Sequence, residues 1–378
     1  MRIGIVCFPS YGGSGALATE LGKKLAKRGH KIHFISTQVP FRLIGPWQRN
    51  IYYHHPYEIQ YPLFGKESLE PLLFANKIVE IAKIENIELI HAHYALPFAT
   101  VAVLAKQILK NNGYNIKIVT TLHGTDVSIF SRESPICDVL KFSLEKSDVV
   151  TAVCKYIAHS AKLNLGLSKL PRIIYNFVDI KREPESQNKE LRSIFAQENE
   201  KIIMHTSNFR EIKRIQDVIT IFNNVNRKIR SKLLLIGDGP EQKTAQKLAA
   251  KFKIINRIHF MGVQSGINKL LSIADIFLLP SETEGFSLAA LEAMSCRVPV
   301  VGSDTGGMPE MIKDGIDGFL APVGDIKTMS EKVILLLKNP NLYQKIADKA
   351  QKKVQENFNA DLIVRKYEKV YQDALANR

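Results

Sequence analysis

Residues 2–36 read RIGIVCFPSYGGSGALATELGKKLAKRGHKIHFIS. The run Arg2–Phe8 is short, apolar and closed by Pro9, which is how a buried strand reads. Gly12, Gly13 and Gly15 follow, and from about Ala16 to Arg28 apolar residues recur at helical spacing. A second apolar run, KIHFIS, comes next. A strand, a glycine turn, a helix and another strand make a βαβ unit, which commits the chain to a parallel sheet covered by helices on both faces.

Outward from this unit the alternation repeats through ELIHAH, KIVTTL, DVVTAV and PRIIYN. After Val178 it is interrupted by DIKREPESQNKELRSIFAQENE, a polar and highly charged stretch that reads as a linker. A second series then runs through KIIMHT, KLLLIG, RIHFMG, DIFLLP and VPVVGS. At 378 residues the chain exceeds one ordinary core of about 100–200 residues. The expectation is an α/β fold of two Rossmann-like domains, 1–178 and 201–358, joined by a linker over 179–200. A helix-forming tail over 359–378 carries Leu362, Ile363, Tyr367 and Tyr371 on roughly one face and is expected to pack back on the first domain. Strand carboxyl ends facing one another across a cleft are where such sheets bind ligands.

Lysine plus arginine number 52 against 37 acidic residues, a net charge of +15 that favours an anionic partner. Nucleic acid, an acidic membrane surface and phosphorylated metabolites all satisfy that charge. The motifs below select the last, with no nucleic acid expected and membrane association not favoured. Cys7, Cys137, Cys154 and Cys296 are scattered without CxxC spacing, which argues against a disulfide framework or zinc knuckle and for a reducing cytoplasm. The opening apolar run is too short for a signal peptide, and no apolar stretch approaches the ~20 residues of a membrane span.

The glycine turn sets Gly13, Ser14 and Gly15 at a helix N-terminus, where free amides and the helix dipole favour an anion. Gly13-x-Gly15-x-x-Ala18 also fits the dinucleotide fingerprint, but Ser36-Thr37-Gln38 stand where its acidic residue belongs, so NAD binding is set aside. A Walker lysine is absent as well. A tight turn that only packs strand on helix is the plain alternative.

The most informative stretch is Glu284-Gly285-Phe286-Ser287-Leu288-Ala289-Ala290-Leu291-Glu292, which follows the strand DIFLLP. Glu284 falls in the loop and Glu292 about two turns into the next helix. A carboxylate offers two acceptor oxygens to a diol, so Glu292 suits a ribose, Glu284 suits sugar hydroxyls, and the helix start between them suits phosphate. Arg210 and Lys213 follow the first strand of the second series and are placed to neutralise a departing diphosphate. Ser303-Asp304-Thr305-Gly306-Gly307 adds another glycine turn after a buried strand. No Asp-x-Asp occurs, so the usual hold on a phosphate-bound divalent metal is missing, and no metal or cofactor is expected.

With those residues in place, the chain resembles the retaining GT-B glycosyltransferases of the family 4 type, whose Glu-x7-Glu element looks like Glu284 to Glu292. YGGSGALATELG, the PFRL from Pro40 to Leu43, HAHYALP, TTLHGTDV, YNFVD, HTSNFREIKR and LIGDGPE are similar to the bacillithiol-pathway branch of that family, and they span nearly the whole chain. The resemblance implies transfer of N-acetylglucosamine from UDP-GlcNAc, a substrate rather than a cofactor, to the hydroxyl of L-malate with retention. It implies front-face departure of UDP while the acceptor hydroxyl attacks the same face and its proton passes to the leaving phosphate. His123, Arg210, Lys213 and Glu284 are the expected catalytic residues. Donor binding is expected from Gly13, Ser14, Gly15, Arg210, Lys213, Glu284, Gly285, Phe286, Ser287 and Glu292. Tyr94, Thr121, His123 and Asn176 sit just past strands of the first domain, with Ser14 in the glycine loop opposite, where donors to a dicarboxylate acceptor belong. Ser287 and Arg297 depart from the family pattern, which commonly has glycine at both.

His91 and His93 alternate on one strand face and, with His54 and His55, invite a metal reading that no cysteine or carboxylate completes. The aromatic and basic stretch Phe41–Phe64 suits a membrane, an acceptor or a packed loop. A membrane-surface transferase with a lipid or polysaccharide acceptor, a UDP-sugar epimerase and a silent nucleotide-binding protein are the competing readings.

Overall fold

A parallel strand is hydrophobic on both faces and needs helices on each, and nearly every strand here is followed by one. The computed structural model describes residues 1–57, 69–128, 135–179 and 185–376. They divide into two units, Met1–Asn176 with the residues from Ala360 onward, and Phe177–Asn359.

In the first unit, β1 (Arg2–Val6), β2 (Lys31–Ile35), β3 (Ile51–His54), β4 (Leu89–His93), β5 (Lys117–Leu122), β6 (Val149–Ala152) and β7 (Arg172–Ile173) form a parallel sheet in the order β3-β2-β1-β4-β5-β6-β7. In the second, β8 (Lys201–Thr206), β9 (Ser231–Ile236), β10 (Ile258–Phe260), β11 (Ile276–Leu279), β12 (Val300–Ser303) and β13 (Phe319–Ala321) are parallel in the order β10-β9-β8-β11-β12-β13. Strand order therefore reverses between β1 and β4 in one unit and between β8 and β11 in the other. Loops leaving neighbouring strands part company at such a point, and the crevice between them is where open α/β sheets take ligands.

β1 buries Ile3, Ile5 and Val6 completely, and Leu17 and Leu21 of helix Gly13–Lys27 are equally buried. That helix starts very close to the strand. A Cβ at Gly15 would lie 2.6 Å from the Phe8 carbonyl oxygen and 2.8 Å from that of Ser10, so only glycine admits the approach. The second core is built from Ile203, Phe209, Val218, Phe222, Leu233, Leu235 and Ile276, all essentially solvent-free.

The polar stretch 179–200, expected as a linker, contains helix Glu185–Phe195, and the second unit begins upstream of it at Phe177. Arg192 ties that helix to the unit's sheet through Asp275 at 2.7 Å and the carbonyl of Glu200 at 2.9 Å. The aromatic and basic stretch supplies the edge strand β3 over Ile51–His54. The part of that stretch over 58–64 lies outside the described residues.

Helix Ala360–Ala376 belongs to the first unit and buries Ile363, Val364, Tyr367 and Tyr371. Its Tyr371 hydroxyl meets His91 Nδ1 at 2.8 Å, while His91 Nε2 meets the Thr121 hydroxyl at 2.7 Å and Thr121 meets Thr151 at 2.7 Å. This polar chain is wholly buried, so each hydroxyl is worth most where its loss strands a partner. Tyr371→Phe leaves His91 Nδ1 without its partner, and urea denaturation should show a loss of about 1–3 kcal/mol. An unchanged midpoint and slope would mean that the contact contributes nothing.

Candidate active site

Each unit presents a cluster of polar side chains at its own reversal of strand order. In the second unit, the segment after β8 runs Ser207–Arg214 and closes in a 3₁₀ turn, Glu211–Lys213. His205 steers it. Its Nδ1 pairs with the Leu278 carbonyl at 2.9 Å, its Nε2 with the Ser207 hydroxyl at 2.8 Å, and Ser207 Oγ in turn accepts from Phe209 N at 3.3 Å. Burial pushes His205 down to about 4, so the ring is neutral and each nitrogen has one role.

Lys213 Nζ donates to Glu284 Oε1 at 2.7 Å, and the Ser281 hydroxyl donates to the same oxygen at 2.7 Å. Glu284 is buried, with 8% of its surface exposed, and the ammonium and hydroxyl offset what burial costs its charge. Its loop is fixed from two sides. Glu282 N donates to the Ile212 carbonyl at 2.8 Å, tying the loop to the Lys213 turn. Gly307 N donates to the Glu284 carbonyl at 2.9 Å, and Thr305 Oγ1 donates to the Glu282 carbonyl at 3.0 Å. Gly306, at φ +57°, would place a Cβ 2.0 Å from the Glu284 carbonyl oxygen, which no side chain permits.

Beyond Gly285 and the buried Phe286, Ser287 caps helix Leu288–Ser295, its Oγ accepting from Ala290 N at 3.3 Å. Glu292 lies within that helix and is 5% exposed. Arg210 precedes the 3₁₀ turn and is exposed. Sequence reasoning brought Arg210, Lys213, Glu284 and Ser287 to these loops and Glu292 to the helix that follows, but missed Ser281 and His205. Ser281, directly after DIFLLP and three residues before Glu284, was the available signal.

In the first unit, Gly13 is exposed and Ser14 half-buried at the start of helix Gly13–Lys27, which has no side-chain cap and no acidic residue in its first turn. Past β4, Tyr94 takes φ +100°, a conformation that costs a side-chain-bearing residue on the order of 1–3 kcal/mol. It is held there by hydrogen bonds on either side. Tyr94 N donates to the Thr121 carbonyl at 3.0 Å, and Ala95 N donates to the buried Asp126 carboxylate at 3.1 Å. Asp126 also accepts from His123 N at 3.0 Å and Gly124 N at 2.8 Å, so one carboxylate pins the loops after β4 and β5 together. Burial raises it and the backbone N–H groups partly pull it back, leaving it at about 6. Asp126 was not singled out from the sequence, although TTLHGTDV contains it.

Tyr94 stacks on His123, with ring planes 14° apart. His123 Nε2 lies 3.2 Å from His93 Nδ1. Asn176 is buried after β7. Thr121 does not face outward as expected. Strand alternation turns its hydroxyl under helix Ala360–Ala376, where His91 and Thr151 occupy it. His91 and His54, offered for a metal, are instead engaged by Tyr371 and by His33, the latter at 3.0 Å. Among the described residues no three histidine, cysteine, aspartate or glutamate side chains are placed to hold a metal ion. None of the described helices is long and apolar enough to cross a membrane.

The chain superposes on HepE of Anabaena, solved with UDP and glucose, with a TM-score of 0.84 at 22% identity, covering 99% of this chain and 100% of that one. It superposes on sucrose-phosphate synthase of Thermosynechococcus elongatus with a TM-score of 0.81 at 20% identity over 100% of both chains. The architecture is that of a GT-B glycosyltransferase. Residues 11–182 match the family description Glycosyltransferase Family 4, and residues 186–353 match Glycosyl transferases group 1. N-acetyl-alpha-D-glucosaminyl L-malate synthase of Bacillus anthracis is 42% identical, over 99% of this chain and 97% of its own length. The chain belongs to the family 4 glycosyltransferases.

The buried imidazoles give the fold a pH signature. His91 and His123 are pushed down to about 3, His33 and His205 to about 4, and His93 well below its usual value, in every case chiefly by burial. Unfolded histidines titrate near ~6.5, so below that pH the unfolded chain takes up protons that the native rings refuse. Stability is therefore complete above about pH 6.5 and falls as the pH drops toward 4. Asp126, raised to about 6, opposes this trend as a single group. Urea midpoints measured from pH 7.5 to 4.5 should decline steadily. A flat or rising series would show that the rings are charged in the native state.

Proposed function

We propose that the enzyme transfers N-acetylglucosamine from UDP-GlcNAc to the hydroxyl of L-malate, retaining the α configuration and needing no metal. The contact of Lys213 and Ser281 with Glu284 carries the transfer reading, because it sets a fixed cation and a fixed carboxylate side by side where strand order reverses. The full-length likeness to the malate synthase of Bacillus anthracis supports this donor and acceptor.

In this reading Glu292 takes the ribose diol, Glu284 takes sugar hydroxyls, and the start of helix Leu288–Ser295 with Gly285, Phe286 and Ser287 receives the phosphates. Arg210 and Lys213 neutralise charge as the glycosidic bond breaks. Lys213 spends one N–H on Glu284 and, among the described residues, has two left to offer phosphate oxygens. Gly13, Ser14 and Gly15 lie against the donor, and Ser14 with Tyr94, Asn176 and His123 receives the malate carboxylates. The side chain of Thr121 supports that group from beneath. His123 also meets the transferred sugar. The acceptor oxygen bonds to the anomeric carbon as the carbon–phosphate oxygen bond breaks, and the acceptor proton ends on the departing diphosphate.

UDP release should be stimulated by L-malate with UDP-GlcNAc, survive EDTA, and fail with succinate, which has both carboxylates but no hydroxyl to attack. The exposed Tyr11, Ile44 and Trp47 favour a lipid-linked acceptor as the second reading, so one belongs in the panel. Stimulation by that acceptor and by no hydroxy acid would overturn malate and leave the family assignment standing. Turnover lost on chelation and restored by Mg²⁺ would overturn metal independence.

Charge grows on the diphosphate in the transition state, so a cation fixed beforehand acts there more than on the bound donor. Lys213→Ala should cut kcat by about 10²–10³ with a smaller change in donor KM. A raised KM with intact kcat would mean a binding role only. Circular dichroism must first show that the variant folds, since Glu284 loses its ammonium partner.

A further inference from the structure

His93 is wholly buried on β4, one strand-face position beyond His91, and its ring lies 4.0 Å from that of His91. Its Nδ1 meets His123 Nε2 at 3.2 Å. Its own Nε2 is buried and has no hydrogen-bond partner among the described residues. Among the described residues no carboxylate side chain pairs with either ring to hold a charge. Asp126, the acid nearest in the loop, spends its oxygens on the backbone N–H groups of Ala95, His123 and Gly124. Both rings are therefore neutral, and each carries one proton.

Two arrangements remain. If His123 Nε2 donates to His93 Nδ1, the proton of His93 sits on Nε2 and becomes a buried N–H with nothing to receive it. If His93 Nδ1 donates to His123 Nε2, the orphan is a bare ring nitrogen. Orphaned buried N–H groups are the rarer fault in folded proteins, and a stranded donor forfeits its full hydration. We infer that His93 is a positioning residue that donates from Nδ1 to His123, and so fixes His123 as the tautomer protonated on Nδ1.

The consequence lies in what His123 can offer. Its Nε2 lone pair is taken and its remaining nitrogen is a donor, so His123 gives a hydrogen bond to a substrate oxygen and takes no proton from the acceptor hydroxyl. That matches an oxygen-rich ligand, a sugar hydroxyl or a carboxylate. It also leaves the departing diphosphate as the receiver of the acceptor proton. The kinetic part of this role rests on the proposed contact of His123 with substrate, whereas the tautomer is a property of the free protein.

The test is the side-chain ¹⁵N spectrum of histidine-labelled protein at pH 7.5, with the His123 signals assigned by their loss in His123→Asn. The expected result is a protonated Nδ1 and a bare Nε2 at His123. A protonated Nε2 overturns the inference outright. In His93→Phe, which keeps a flat aromatic ring and removes both nitrogens, the His123 signals should move toward the other tautomer. Activity should fall by roughly 10–100-fold, the range lost when the orienting partner of a functional imidazole is removed, with UDP affinity unchanged. An unmoved His123 spectrum in a folded His93→Phe overturns the role of His93. A moved spectrum with full activity instead overturns the contact of His123 with substrate and leaves the tautomer assignment standing.

Discussion

A buried carboxylate cannot remain charged without partners, and in the second unit that requirement organises the loops. Glu284 is charged and nearly solvent-free because Lys213 and Ser281 share one of its oxygens. The ammonium reaches it only if the turn after β8 and the loop after β11 lie side by side, which the Glu282–Ile212 backbone bond enforces. The third loop, after β12, closes on the same point through Gly306 and Gly307. Three loops that the chain separates by tens of residues are thereby set in one arrangement before any ligand arrives, which is what electrostatic stabilisation of a leaving group requires.

The first unit meets the same difficulty with a different partner. Asp126 has no cation against it among the described residues and is satisfied by backbone N–H groups from two loops, one of them bearing the strained Tyr94. The histidines of this unit's site, His91, His93 and His123, are all held uncharged by burial. One unit thus concentrates fixed charge and the other fixed hydrogen-bond direction. A dianionic leaving group calls for the first, and recognition of hydroxyl and carboxylate oxygens calls for the second.

Much of this was legible in the sequence because strand ends in a parallel fold are loud signals. The long apolar runs gave β1, β4, β8 and β11, and polar residues directly after them, Lys213 and Glu284 among them, fall where strand order reverses. The edge strands β3 and β13 were not read. They span Ile51–His54 and Phe319–Ala321, and β3 sits half-exposed in a stretch rich in aromatics, so its apolar residues do not stand out as a buried run. Thr121 was misjudged in orientation, since the last residues of a strand still alternate and a one-position change moves a hydroxyl from a crevice to a core. Asp126 and Ser281 escaped because accepting backbone N–H groups, or donating to a carboxylate three residues on, leaves no periodic trace.

The two departures from the family pattern find different physical answers. Ser287 replaces a residue that offers no side chain with one whose hydroxyl satisfies Ala290 N, at a helix start where such a cap contributes about 0.5–2 kcal/mol relative to alanine. The hydroxyl that caps the helix stays near the backbone, so Ser287 stabilises the element bearing Glu292. Arg297 takes φ +63°, where a left-handed backbone costs a non-glycine residue roughly 1–2 kcal/mol. It is exposed, and its guanidinium pairs with Asp348 at 2.5 Å, a surface contact worth about 0–1 kcal/mol. The pair therefore offsets only part of that strain, and the strain is confined to the turn after helix Leu288–Ser295. Neither change touches Lys213, Ser281 or Glu284, so the charged contact on which the second unit depends is untouched by both.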